Sequence, residues 1–308
     1  MNGRREGVVS ATEYTVGQFT FVLACGHRFR QPAPSLASEF ELLLEGFMPR
    51  AVADTFSDPA EGPEAAFGLP ALPHPFRRSW RDAGPVACQF MIDSARFTWR
   101  AGSRHLFVVE DFASRDDSTR ASQLAVALEP LVLDLASLGL RIGPHMIGVC
   151  LERDGKRFLF LGPDSDARRK AWVTLVGDGG FSLVSNHVVA VDARSEALIP
   201  FPRLPRLASD RSGNPVLLPV SRLISKPVPL PVSVVFIPAR ARQEVETDAI
   251  LAPCNETDLR LAVAAVVRNA RSWSASVTRA MLANAKGYFL EEGSVPGMVR
   301  GVLSVAQE

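Results

Sequence analysis

Apolar and polar positions alternate over residues 13 to 24, and Tyr14, Val16, Phe19, Phe21 and Val22 add the β-branched and aromatic character of a strand. At residue 35 the period changes. Leu36, Phe40, Leu43 and Phe47 fall on one helical stripe, which predicts a helix running to Gly46 with Ser35 as its cap. Residues 57 to 86 hold many Pro, Gly and Ala and little periodicity, the composition of a long surface loop. Residues 87 to 99 and 105 to 110 flank Arg100-Ala101-Gly102-Ser103-Arg104, a hairpin pattern. From 118 to 138, Leu124, Leu128, Leu131, Leu135 and Leu138 recur at helical spacing as a core stripe. Pro130 stands where it would kink or divide that helix, and Gly139 and Gly143 where they would end it.

The second half changes rhythm. A strand is predicted over 146 to 151, a turn at Arg153-Asp154-Gly155-Lys156, and a second strand over 157 to 161. A loop from Gly162 leads into a helix through Val176, followed by strands over 181 to 184 and 188 to 191. Residues 199 to 231 are proline-rich and irregular; 232 to 237 form a buried strand, and 256 to 269 an apolar helix. The remainder from residue 272 reads as helical, with strand character near 299 to 305. The sum is an α/β (α+β) protein: a C-terminal half, 141 to 308, built on a mixed sheet around the glycine loop, and a smaller N-terminal α+β region, 1 to 140.

Composition narrows the function classes. The chain has 308 residues, 47% hydrophobic and 22% charged, in the range of folded globular proteins. Its 34 basic and 33 acidic residues leave a net charge of +1, so no global field argues for nucleic acid or a membrane surface. Cys25, Cys88, Cys150 and Cys254 form no CxxC pair and read as free thiols, which sets aside a metal cluster and makes a reducing, cytoplasmic compartment the expectation. Residues 1 to 11 carry no apolar signal core, and no uninterrupted run of about 18 apolar residues occurs, so a soluble protein is expected.

Strand, glycine loop and helix together form the architecture in which backbone N–H groups and a helix N-terminus cradle phosphate. Residues 158 to 169, Phe-Leu-Phe-Leu-Gly-Pro-Asp-Ser-Asp-Ala-Arg-Arg, sit in that context. Laid against G-x-x-x-x-G-K-[ST], Gly162 takes the first glycine, Ala167 the second, Arg168 the lysine and Arg169 the hydroxyl residue. Around it stand Pro144-His145-Met146, Asp154-Gly155-Lys156-Arg157-Phe158, residues 179 to 192 (Gly-Gly-Phe-Ser-Leu-Val-Ser-Asn-His-Val-Val-Ala-Val-Asp) and Ile199-Pro200-Phe201-Pro202-Arg203.

In that order and spacing, over roughly residues 141 to 240, the chain resembles the HPr kinase/phosphorylase family, whose fold is akin to the phosphoenolpyruvate carboxykinase nucleotide-binding domain. The resemblance implies an HPr kinase C-terminal-domain-like fold. It also implies a loop of the form G-P-S-G-x-G-K-[ST] for ATP, an acidic pair serving as base and magnesium ligand, and small protein or peptide partners. By the same resemblance His145 contacts nucleotide or substrate.

The departures fall on chemistry. Ser165 and Ala167 replace glycines that let a backbone curl round anionic oxygens. Asp164 and Asp166 place carboxylates where a triphosphate would lie. Arg168 keeps a charge but loses the compact ammonium, and Arg169 removes the metal-holding hydroxyl. Ser185-Asn186 replaces the acidic pair, and neither side chain is an effective base near neutral pH.

The expectation is a pseudokinase with a degenerate P-loop, no intact catalytic residue and no cofactor, acting through a protein or peptide partner. A homo- or hetero-oligomer stays open. Two rivals remain. One is an active ATP- and magnesium-dependent serine kinase, in which Gly162, Arg168, Arg169 and Lys170 hold phosphate and Asp192 serves as base. The other is a structural subunit of a larger assembly.

Individual residues carry two readings as well. The 162 to 170 segment is either an anion site rebuilt on arginine or a helix start capped by Asp164 or Ser165, with Asp166 favouring the dipole. His187 is either a substitute base sharing a strand face with Ser185 or a structural histidine. His145 is also a hydrogen-bonded histidine at a strand start. Arg203 either meets an anionic partner or covers the proline-rich loop.

Overall fold

The alternation near the N-terminus belongs to two strands rather than one. β1 (Ser10–Val16) and β2 (Phe19–His27) pair antiparallel with Val16 opposite Phe19, so the alternating pattern covers two strands. The computed structural model describes residues 10–16, 19–27, 31–47, 50–51, 86–100, 105–113, 117–140, 143–192, 194–204, 220–239, 251–268, 273–291 and 294–308. The loop expected over 57 to 86 lies outside them except for Val86.

The chain divides into two units, Met1–Ala136 and Ser137–Glu308. In the first, β3 (Gln31–Pro32) pairs with β2, and α1 (Pro34–Leu43) follows. Pro34 takes the first helical turn and Ala33 is the cap position, so Ser35 lies inside the helix instead of capping it. Leu36, Phe40 and Leu43 are buried as the stripe predicts, and Phe47 is buried in a short 3-10 turn.

The remaining strands are β4 (Arg50–Ala51), β5 (Val86–Ile92), β6 (Ala95–Arg100) and β7 (His105–Asp111). They complete a sheet of order β4-β1-β2-β7-β6-β5, with β2 and β7 parallel and the other neighbours antiparallel. The segment expected as one strand over 87 to 99 is two. Asp93 and Ser94 both have positive φ, 43° and 62°, the left-handed pair of a tight hairpin turn, formed without the glycine that would announce it.

α2 (Ser118–Leu140) runs unbroken past Pro130. Ala121, Leu124, Ala125, Leu128, Val132 and Ala136 are buried along one side. Among the described residues it is the one helix long and apolar enough to cross a membrane by length and composition, and half of that window is buried.

The second unit is a mixed α/β body. Its strands are β8 (His145–Arg153), β9 (Lys156–Leu161), β10 (Ser182–Asp192), β11 (Ala197–Ile199), β12 (Val228–Pro229), β13 (Val234–Ala239), β14 (Leu251–Pro253), β15 (Val267–Arg268) and β16 (Lys286–Glu291). The sheet order is β12-β11-β10-β8-β9-β13-β16-β14, with β15 on β8; β9, β13 and β16 run parallel at its centre.

Its helices are α3 (Asp166–Gly177), α4 (Glu256–Val266), α5 (Ala275–Leu282) and α6 (Val295–Gln307). Val149, Phe158, Phe160, Val234 and Phe236 face α3 and α6. Cys150, Leu159, Leu161, Val235 and Ile237 face α4 and α5. Successive residues of β9 therefore enter two different cores, which is why Phe158-Leu159-Phe160-Leu161 is apolar without alternation. Each buried side chain of this size contributes about 1.5–3 kcal/mol by removal from water.

Three expectations in this half change. The strand character over 299 to 305 belongs to helix α6, where Met298, Val302 and Val305 supply a buried stripe behind the Ser294 cap. The central strand β16 lies instead at Lys286–Glu291, inside a stretch read as helical. Gly287 in it faces Cys254 and Leu259 so closely that an added Cβ would collide with the Cys254 sulfur. Residues 181 to 184 and 188 to 191, read as two strands, are one bulged strand, β10.

Candidate functional site

β9 delivers the chain to Gly162 at the C-terminal end of the parallel strands. There the N–H of Gly162 donates to the Ile147 carbonyl at 2.9 Å, and its φ of 89° demands a residue without Cβ. The turn then enters α3. Ser165 is the N-cap: its backbone is extended and its hydroxyl accepts from the Arg168 N–H at 3.2 Å, while the Arg169 N–H donates to the Ser165 carbonyl at 2.8 Å. Asp166 sits exposed in the first turn, where the helix dipole favours a carboxylate.

Arg168 points into the turn. It is 3% exposed, and its Nη1 donates to the carbonyls of Leu161 at 2.9 Å and Pro163 at 2.9 Å, with the Gly162 carbonyl at 3.4 Å. A phosphate cradle directs N–H groups inward; this turn directs carbonyl oxygens inward and satisfies them with its own guanidinium. The N–H groups of Gly162, Arg168 and Arg169 are each spent on internal acceptors, and Pro163 has none.

The neighbouring charges are paired too. Arg169 Nε lies 3.0 Å from Asp164 Oδ2, and its Nη1 lies 3.3 Å from Asp166 Oδ1. Buried Trp172 donates its indole N–H to Asp164 Oδ1 at 3.2 Å, which fixes the loop to the helix face. Burial pushes the Asp164 carboxyl above the usual carboxylate range, against the opposing pull of its hydrogen bonds with Arg169 and Trp172. Lys170 is exposed.

The degenerate acidic positions lie two strands away. In register, His187 of β10 faces Gly148 of β8, which faces Leu161 of β9, so two inter-strand steps, about 10 Å, separate the row's ends. Gly148 is required there, because a Cβ would meet the Phe160 carbonyl oxygen at 2.5 Å.

Ser185 is fully buried and donates its hydroxyl to the Val188 carbonyl. Asn186 clamps the backbone of Arg203, accepting from its N–H at 2.6 Å and donating to its carbonyl at 3.0 Å. The Asn186 side chain thus holds the segment after β11 against β10, while the Ser185 hydroxyl closes a bond within β10 itself. Strand alternation predicts Ser185 and His187 on one face. The left-handed backbone of His187, φ 73°, breaks that alternation, leaving Ser185 buried and His187 exposed.

The other candidates are placed as follows. His145, 6% exposed, opens β8 with its Nδ1 3.1 Å from the Gly143 carbonyl. Arg203 is half-buried, its backbone held by Asn186. Asp192 lies about 17 Å further along β10 than His187. It accepts from the Ser195 hydroxyl at 2.7 Å and the Arg194 N–H at 3.0 Å, and these bonds, the Ser195 one foremost, hold its carboxyl below the usual range. Four thiols are free; burial pushes that of Cys150 up to about 12. Among the described residues no group of three or more His, Cys, Asp or Glu could hold a metal ion.

Sequence reasoning brings the loop and the Ser185-Asn186 segment to one end of one sheet. It misses Trp172, whose eight-residue spacing from Asp164, one loop and two helical turns, is the signal that points to the contact. Compared with models of known protein families and with curated proteins, the chain gives no match.

Proposed function

We propose that this chain is a catalytically deficient relative of HPr kinase-like proteins that works by binding a protein or peptide partner in the cytoplasm, with no resident cofactor. One observation carries the reading. The Arg168 guanidinium enters the glycine turn and its Nη1 is bonded to the turn's carbonyls, so a γ-phosphate would meet inward-facing oxygens, with the Gly162, Arg168 and Arg169 N–H groups already spent on internal acceptors.

The acidic positions support it independently. A magnesium ion needs anionic or hydroxyl oxygen ligands, and here Ser185 and Asn186 spend their polar atoms on Val188 and Arg203. The residues present do not fit a magnesium-bound triphosphate. Asp192, the remaining acid considered as a base, is distant and acidified by its own turn.

Titration calorimetry with magnesium-ATP tests this. The expected result is no heat of binding and no phosphate transfer to added protein. Micromolar affinity that Arg168→Ala abolishes would contradict it and favour the active phosphotransferase.

A further inference from the structure

At the opposite end of the same sheet, where β8 turns into β9 and α3 hands over to β10, two cations converge on a glycine. Gly180 has φ 77°, so no side chain fills the space above it. The point where its Cβ would stand lies 4.0 Å from Arg153 Nε and 4.0 Å from Arg222 Nη1. Both guanidiniums therefore border one small gap.

Their charge is incompletely compensated. Arg153 Nε has Asp154 Oδ2 at 3.4 Å, a carboxylate that is 85% exposed and correspondingly screened. The Nη1 of Arg153 is shielded from solvent and has no hydrogen-bond partner. The Arg153 guanidinium lies over the ring of buried Phe181, 5.5 Å from its centroid. Arg222 closes a short 3-10 turn, and among the described residues no carboxylate lies within 4.0 Å of its guanidinium. Two cations and one exposed acid leave the gap net positive.

We propose that the Arg153–Gly180–Arg222 gap binds a phosphate group, either as free phosphate or as a small phosphate monoester. Donors from two separate guanidiniums suit a tetrahedral oxyanion that accepts from both, and a buried charged donor gains more from such a partner than a neutral one does. The site is independent of the reading of the glycine turn, which lies at the other end of β9.

The test is a nitrogen–proton correlation titration of the full chain with sodium phosphate, and in a second arm with glycerol phosphate, against sodium chloride at matched ionic strength. The expected result is a saturable shift of the Gly180 and Phe181 amides with phosphate and not with chloride. Arg222→Gln, on a half-buried surface turn, is expected to fold and to weaken binding by about tenfold or more, with Arg222→Lys intermediate. Arg153→Gln is expected to do the same where it folds. Saturation by free phosphate alone, or by the monoester as well, separates the two sources. Shifts unchanged by Arg222→Gln, shifts confined to residues 162 to 168, or no shift beyond that of chloride would overturn the proposal.

Discussion

The two ends of the nine-stranded sheet carry similar numbers of arginines and treat them oppositely. At the Gly162 end, Arg168 is consumed by loop carbonyls and Arg169 by Asp164 and Asp166. At the Gly180 end, Arg153 and Arg222 border one gap, and among the described residues the one carboxylate paired with either is the exposed Asp154 beside Arg153. A cluster of cations does not by itself make an anion site. What matters is where the donors point and what they already hold, because the Arg168 Nη1 that reaches into the turn is bonded to its carbonyls and would have to break those bonds to meet a ligand there.

Arg168 should dominate the energetics of its end. Arg168→Ala leaves the Leu161 and Pro163 carbonyls without their partner in a buried turn, and is expected to cost about 3 kcal/mol of stability in urea unfolding. Arg168→Lys should recover part of that, since one ammonium cannot reach all three oxygens in a fixed plane. A neutral result for Arg168→Ala would mean that the guanidinium is not part of the turn's structure.

Asp164 sharpens the contrast through pH. Its folded carboxyl titrates above its unfolded value, so the native state binds the proton more tightly. Its contribution is fully present below the ordinary carboxylate value and declines as pH rises through the raised one. Asp164→Asn, which keeps an oxygen for the Trp172 indole, should flatten that segment of the stability–pH curve and cost about 1–2 kcal/mol through the weakened Arg169 contact. Stability measured by urea unfolding across the acidic range reads both. The smallest effect belongs to the cap: Ser165→Ala should lose about 1 kcal/mol, and Ser165→Gly less.

How much of this was legible in the sequence follows from which interactions are local. The β8–β9 hairpin was readable because Asp154-Gly155 encodes the left-handed turn directly, and both residues have positive φ, 53° and 74°. The Ser165 cap was one of the open readings of the loop, since a cap is fixed by residues three apart. The mixed sheet was readable from its buried strands.

What escaped depended on contacts between distant segments. β16 is hidden because Lys286-Gly287 opens it with weak strand propensity and leaves Tyr288-Phe289-Leu290 as a short apolar run without alternation; it is a strand through parallel pairing with β13, some fifty residues earlier. The Asp93-Ser94 reversal lacked a glycine. The fate of Arg168 turned on side-chain direction, which no spacing rule encodes: an arginine at the lysine position of a phosphate loop reads the same whether it reaches outward to a ligand or back onto carbonyls.

The most direct measurement is a crystal structure of the full chain grown with magnesium-ATP in excess. This account predicts the Arg168 guanidinium on the Leu161 and Pro163 carbonyls and no nucleotide at the turn. Triphosphate density cradled by residues 162 to 168, with Arg168 swung away, would contradict it.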